Sequence, residues 1–158
     1  MTDCFSPHGS QALVHAMLTG SPRIDAERAF ARASRARLRA KLVAWLRHRM
    51  GSCRLRVFGG RSETVEGTVA VPVLTEIPVA AIVGTVEPSR VALFDRSFRP
   101  ARAARARWQR IWLAERRGAH LPPISVMRVL GGYAVRDGHH RVSVARALGA
   151  STIDAVVE

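Results

Sequence analysis

The chain contains 158 residues, of which 25 are Lys or Arg and 12 are Asp or Glu, so its formal net charge is +13. This excess favours polyanionic partners such as DNA, whereas the two cysteines, Cys4 and Cys53, are too few for a disulfide framework and lack the spacing of a zinc site. The sequence has no run of eighteen apolar residues and no export signal at its start, which predicts a cytoplasmic protein without a membrane span.

A long basic helix is predicted from Pro22 to Met50. Ser21 is the expected N-cap, because a serine hydroxyl accepts a hydrogen bond from the first helical turn. Pro22 suits the first helical position, and Gly51 follows the predicted end. The sequence therefore delimits this helix at both ends.

The side chains of this helix fall into three bands at helical spacing. One is an arginine stripe of Arg28, Arg32, Arg35 and Arg39; one is an apolar band of Phe30, Leu38, Leu42 and Trp45; and one is an alanine band of Ala29, Ala33, Ala36, Ala40 and Ala44. We expect the apolar band to pack against a core. Contact between the arginine stripe and DNA phosphates is the second interpretation, and binding to an anionic lipid surface is the third.

Glycines and polar residues between Ser52 and Glu66 predict a linker. The chain is therefore expected to divide into a basic helical arm with its linker, residues 1–66, and a compact domain, residues 67–158. Residues 1–62 contain 12 Lys and Arg against 3 Asp and Glu, so the arm carries most of the net charge.

The second part alternates between strand and helix patterns. In chain order these patterns predict a helix at Pro100–Arg117, a hairpin of Ile124–Leu130 and Tyr133–Asp137 on a Gly131-Gly132 turn, a helix from His139 to Gly149, and a strand at Ile153–Val157.

The segment Asp137-Gly138-His139-His140-Arg141 lies where the last hairpin strand meets the following helix. A helix N-terminus carries a partial positive charge and N–H groups without intrahelical partners, so a glycine, two histidines and an arginine there predict a phosphate or nucleotide site. Arg141 begins the inward-facing stripe of the helix, and both histidines are expected to become charged near pH 6. The structural alternative is that Asp137 caps the helix and pairs with Arg141 while the histidines are solvated.

The hairpin, helix and last strand, with the sequence PPISVMRVLGGYAVRDGHHRVSVARALGASTIDAVV, resemble the second half of a ParB N-terminal domain. The chain is thus similar to the ParB/sulfiredoxin-like domain over residues 73–158, and the resemblance implies that Val73–Val83 is the opening strand of that domain. The resemblance implies an α+β fold, in which a small mixed sheet with packed helices follows the long basic N-terminal helix. It also implies a phosphate-contacting role for Arg90, which follows Pro88 in a loop of the kind that contacts phosphate in this family.

The sequence departs from two groups of this family. Sulfiredoxins carry a nucleophilic cysteine where this chain has His139, which argues against reduction of a sulfinic acid. Partition ParB proteins have Glu-Arg-Arg after the glycine and continue into a helix-turn-helix domain, whereas this chain has His-His-Arg and stops at Glu158. Operator-specific DNA binding is therefore not expected.

Three classes of function remain open. The first is a ParB-like module that binds phosphate or a nucleoside triphosphate through Gly138, His139, His140, Arg141 and Arg90. Such a module would suit a DNA-associated regulator. It is also compatible with a homodimer. The second is an enzyme of phosphoryl transfer or phosphodiester cleavage in the same pocket, with Asp137 as candidate general base. The third is an interaction protein with a vestigial pocket. No cofactor is required, and no metal site is predicted, because adjacent histidines do not form the i, i+4 pair of a helical site.

Overall fold

A computed structural model of the chain describes residues 20–47, 53–59 and 71–158. Within these ranges the fold is α+β, with three α-helices and a five-stranded mixed sheet. The elements are α1 (Pro22–Leu46), β1 (Val73–Pro78), β2 (Ile82–Thr85), α2 (Arg105–Arg116), β3 (Ile124–Val129), β4 (Gly132–Asp137), α3 (His139–Leu148) and β5 (Thr152–Val157). Cys4, the predicted helix end at Met50 and Gly51, and residues 60–66 of the predicted linker lie outside the described residues.

The strand order in the sheet is β1-β5-β3-β4-β2. Two pairs of neighbouring strands are antiparallel, namely β1 with β5 and β3 with β4. The other two pairs, β3 with β5 and β2 with β4, are parallel. The largest core cluster lies between this sheet, α3 and the 94–98 segment, and it includes Phe94, Phe98, Val126 and Val142. The predicted β3–β4 hairpin is confirmed, but Val129 pairs with Gly132, so the turn is Leu130-Gly131, one residue earlier than predicted.

The prediction of one strand over Val73–Val83 is wrong. A 3-10 turn at Val79–Ala81 divides this run into β1 and β2, which lie at opposite edges of the sheet. Pro78 has no N–H group to extend a ladder of hydrogen bonds, so a strand ends readily there. One apolar run thus supplies both sheet edges.

The predicted start of the second helix is also wrong. Pro100 is held extended by a β-bridge to Phe94, and α2 begins only at Arg105, after a 3-10 turn at Arg102–Ala104. Its end agrees with the prediction, since Gly118 follows with a φ of +69°.

The helix α1 packs against α2 through its N-terminal half. Phe30 is buried, and its ring meets that of the fully buried Trp108 edge-on at a centroid distance of 5.6 Å. The expectation that the whole apolar band is buried is wrong, because Leu38, Leu42 and Trp45 are 63%, 56% and 59% exposed. The alanine band faces the domain instead, since its members are buried or half-buried.

The C-terminal half of α1 is held by a charged side chain. Arg37 is buried and donates hydrogen bonds to the backbone carbonyls of Leu93 (2.8 Å), Ala92 (3.2 Å) and Arg99 (3.3 Å). Burial lowers the pKa of Arg37. The predicted N-cap is not formed, because the Ser21 side chain makes no capping hydrogen bond and only its carbonyl accepts from the N–H of Asp25.

Part of the predicted linker belongs to the folded structure. The N–H of Phe58 donates to the carbonyl of Thr85 at 2.8 Å, and the N–H of Thr85 donates to the carbonyl of Arg56 at 2.9 Å. Leu55 and Phe58 are buried in core clusters. Residues 56–58 therefore pair with the end of β2, while the division of the chain near residue 66 stays a prediction.

None of the helices within the described ranges is long and apolar enough to cross a membrane.

Candidate anion-binding site

Gly138 forms the turn from β4 into α3 and is fixed there for two reasons. Its φ is +99°, a conformation that is costly for residues with a side chain. A Cβ at this position would also overlap the side chain of Ile124 on β3. No side chain caps α3, so the N–H groups of its first turn keep their partial positive charge without a protein side chain as acceptor.

His139 is buried behind this turn. Its Nε2 lies 2.7 Å from the hydroxyl oxygen of Thr85, and its ring stacks on those of Phe94 and Phe98. The Thr85 hydroxyl donates to the carbonyl of Val135 at 3.0 Å and accepts from the N–H of Glu87 at 2.8 Å. Burial, with the positive charge of Arg90 as the next cause, lowers the pKa of His139 to about 4.

His140 is also buried, with its ring edge-on to Phe94 at a centroid distance of 5.0 Å. Burial and then the charges of Arg107 and Arg90 lower its pKa to about 4. The expectation that both histidines are solvated or charged near pH 6 is therefore wrong. Burial keeps both imidazoles neutral near pH 6, so the positive charge of the site comes from arginines.

Arg141 faces inward, as its place on the helical stripe predicts, with a side chain 12% exposed. Its guanidinium donates to Asp137 at 3.1 Å, to the carbonyl of Pro123 at 2.8 Å and to the carbonyl of Pro122. Burial lowers its pKa, and the charge of Asp137 opposes this shift. Asp137 thus pairs with Arg141 but does not cap the helix.

A small cleft opens beside this turn. It is lined by Arg90, Arg107 and Ile111 together with residues 137–141. The Nε atom of Arg90 is buried and has no hydrogen-bond partner among the described residues. The cleft volume is about 20 Å³, which is room for roughly one water-sized group. A single phosphate oxygen fits such a space, whereas a nucleoside does not.

Two residues of this site escaped the sequence analysis. Arg107 lies on α2, which carries several arginines at similar spacing, so no local signal marks the one that faces the cleft. Thr85 ends the apolar strand β2 as its single buried hydroxyl, and a polar residue at the end of such a strand is a signal for it.

The other predicted residues lie elsewhere. The arginine stripe is on the exposed side of α1, and none of its members lines the cleft. Asp137 is the one carboxylate among the described residues that line the cleft; Asp95 instead accepts the N–H groups of Ser97 and Arg99, both at 2.9 Å. Within residues 20–47, 53–59 and 71–158, no three His, Cys, Asp or Glu side chains are grouped to hold a metal ion.

A comparison with solved structures finds similarity to sulfiredoxin from Arabidopsis thaliana, at 24% sequence identity and a TM-score of 0.39. The alignment covers 55% of this chain and 85% of that chain. No family model matches the sequence, and the search of curated proteins gives no significant match. The α+β assignment rests on the helices and strands described above, and membership of the ParB/sulfiredoxin-like family stays a prediction.

Proposed function

We propose that this chain binds a phosphate group, as the end of a nucleotide, in the cleft at the start of α3. The observation that carries this proposal is the convergence of Arg90, Arg107 and Arg141 with the uncapped N-terminus of α3 around one small space. An uncapped helix N-terminus and planar guanidinium groups both favour the oxygens of phosphate.

The arginines have separate roles in this proposal. Arg141 is a positioning residue, because its bonds to Asp137 and to the carbonyls of residues 122 and 123 fix the first turn of α3. Arg90 and Arg107 both line the cleft, and their guanidinium groups supply donors and positive charge to the ligand.

A hollow next to the cleft suits the rest of a nucleotide. It has a volume of about 380 Å³ and shares Arg141 with the cleft, a size within the range of about 300–1,000 Å³ common for small-molecule sites. Its lining includes Glu76, Glu115 and Asp154. Carboxylates repel phosphates but accept hydrogen bonds from the amino and hydroxyl groups of a nucleoside, so the polarity of the two spaces matches the two parts of a nucleotide.

Isothermal titration calorimetry with inorganic phosphate and the common nucleoside triphosphates tests this proposal. Arg90→Gln and Arg107→Gln should each weaken binding by about tenfold or more, because each removes a charge-assisted hydrogen bond. The matched control is Arg110→Gln, an exposed arginine of α2 outside the cleft. Absence of binding at millimolar ligand, or equal losses for Arg107→Gln and Arg110→Gln, would refute the site.

A second candidate function is DNA association through the arginine stripe, as in a DNA-associated regulator. Its supporting observation is that Arg28, Arg32, Arg35 and Arg39 are all exposed, so phosphates can reach all four. Four phosphate contacts give a slope of log K against log salt of about −3.6.

Fluorescence anisotropy with duplex DNA between about 50 and 200 mM salt tests the stripe. Replacing its four arginines by glutamine should flatten the slope. The control replaces four exposed arginines at α2, namely Arg102, Arg110, Arg116 and Arg117. An unchanged slope in the stripe variant, or no binding by the unmodified chain at low salt, would exclude this function.

A further inference from the structure

A separate cavity lies between α1, the 97–100 segment and α3, away from the phosphate cleft and its neighbouring hollow. It is much larger than the cleft. Its volume is about 420 Å³, and it shares no lining residue with the cleft. Its size falls in the range of small-molecule sites. The cavity exists because α1 faces the domain here with alanines 29, 33 and 36, which leave space between the helix and the 97–100 segment.

The charge of this cavity is one-sided. Arg32, Arg99 and Arg146 line it, and none of its lining residues is an Asp or Glu. The nearby carboxylate of Asp95 is buried, and its Oδ1 atom accepts two backbone N–H groups of the 97–99 turn. Its Oδ2 atom lies 3.8 Å from Arg99. Asp95 is thus already engaged by the backbone, and Arg99 and Arg146 together give this side of the cavity a positive excess.

Arg146 is held in place by backbone carbonyls and an aromatic ring. Its NH2 group donates to the carbonyls of Ile82 at 2.7 Å and Val79 at 3.2 Å, and its guanidinium lies 5.0 Å from the centre of the Phe98 ring. The Nε atom is buried and has no hydrogen-bond partner among the described residues. Arg146 also lines the cavity, so an anion there lies within reach of its permanent positive charge.

The rest of the lining determines what kind of anion fits. Phe98, Pro100 and the alanines form apolar walls, and Ser97 and Ser143 add hydroxyl groups. The Ser143 oxygen is fixed by a hydrogen bond from the Trp108 indole at 2.9 Å. An inorganic anion would leave the apolar walls uncovered, whereas a carboxylate or phosphate on a ring-sized apolar body would contact both walls and arginines.

We propose that this cavity is a binding site for a small organic oxyanion, with its charged group at Arg99 and Arg146 and its apolar body against Phe98 and the α1 alanines. The site is independent of the phosphate cleft. A ligand held there also bridges α1 and α3, because both helices contribute to the lining.

Calorimetry on the full chain with phenyl phosphate, benzoate, benzyl alcohol and inorganic phosphate tests this site. Phenyl phosphate or benzoate should bind with a stoichiometry of one, and benzyl alcohol at least about tenfold more weakly because it lacks the charge. Arg99→Gln should weaken binding of the anionic probe by about tenfold or more. Ala33→Leu should abolish that binding by filling the space, while Arg28→Gln, the same charge change on the exposed side of α1, should leave it intact.

Variants at the cleft and at the cavity show which of the two sites binds the probe. Phenyl phosphate binding that is lost in Arg107→Gln but unaffected by Arg99→Gln and Ala33→Leu belongs to the cleft and overturns the cavity proposal. Failure of both phenyl phosphate and benzoate to bind at millimolar concentration also overturns it. The cavity proposal is supported if binding of the anionic probe is lost in Ala33→Leu and Arg99→Gln and retained in Arg107→Gln. This holds whether or not phosphate binds at the cleft. Circular dichroism of each variant verifies that the helices are retained.

Discussion

The cleft at the first turn of α3 and the exposed side of α1 each bring several arginines together, but in different surroundings. Arg141 is 12% exposed and bonded to Asp137 and to two backbone carbonyls, and it lines the cleft together with Arg90 and Arg107. The arginine stripe of α1 is exposed along its whole length. In the cleft, Arg141 is partly desolvated and oriented before a ligand arrives and Arg90 is half-buried, whereas Arg107 is exposed, as the stripe arginines are.

This difference separates two kinds of anion recognition. Oriented and partly desolvated donors interact strongly with one group in one position. Exposed arginines attract polyanions over a wide surface, and salt screens the attraction within about 10 Å at 0.1 M ionic strength. Local charge density is high in both regions, so burial and hydrogen bonding distinguish them.

The largest effect expected concerns which side of α1 is packed. Phe30→Ala should lower the free energy of unfolding by about 3–5 kcal/mol, because it removes a buried ring that contacts Trp108. Trp45→Ala should change it by less than about 0.5 kcal/mol, since that ring is exposed. Urea denaturation of both variants measures the two values. Similar losses would mean that α1 buries its apolar band after all.

The next effect concerns the histidines behind the first turn of α3. Their pKa values are lowered to about 4 by burial, while an unfolded chain protonates histidine near pH 6.5. The stability that they provide is therefore complete above about pH 6.5 and is lost as the pH falls toward 4, by on the order of 3 kcal/mol for each histidine.

Denaturation curves at several pH values test this loss. His140→Gln should reduce the pH dependence between about 6.5 and 4, whereas His120→Gln, a change at an exposed residue, should retain it. Phosphate affinity should not rise between pH 8 and pH 6 through these histidines. A rise that disappears in His139→Gln or His140→Gln would show that they are charged at the site.

A smaller effect sharpens the contrast between two glycines at the ends of α3. Both have positive φ, +99° at Gly138 and +72° at Gly149, but only a Cβ at Gly138 would overlap another side chain. Gly138→Ala should therefore cost about 1–3 kcal/mol more than Gly149→Ala, the added cost of overpacking. Thermal denaturation of the pair measures this difference, and equal costs would show that Ile124 moves aside freely.

The smallest effect concerns the start of α1. Ser21→Ala should change stability by less than about 0.5 kcal/mol, because the Ser21 side chain makes no capping hydrogen bond. A capping serine would contribute about 0.5–2 kcal/mol. A loss in that range, measured by urea denaturation, would show that Ser21 caps α1 in solution.

Most of the secondary structure near the cleft follows from the sequence. The β3–β4 hairpin, the helix that begins at His139 and the last strand lie where the patterns predict them, because alternation, glycine positions and helical spacing act between near neighbours. The single strand at Val73–Val83, which was expected from the family resemblance, is not formed. Its apolar character is common to both halves, and only pairing with β5 on one side and β4 on the other separates β1 from β2.

The sequence by itself determined the turn at Gly138, the inward position of Arg141 and the excess of positive charge, since each depends on residues close in the chain or on composition alone. Tertiary structure decided which face of α1 is buried, brought Arg90 and Arg107 to the same cleft, and surrounded the histidines with Phe94 and Phe98. Those outcomes depend on contacts between residues that are far apart in the sequence. Burial and pKa are properties of the packed surroundings, which a linear pattern does not contain.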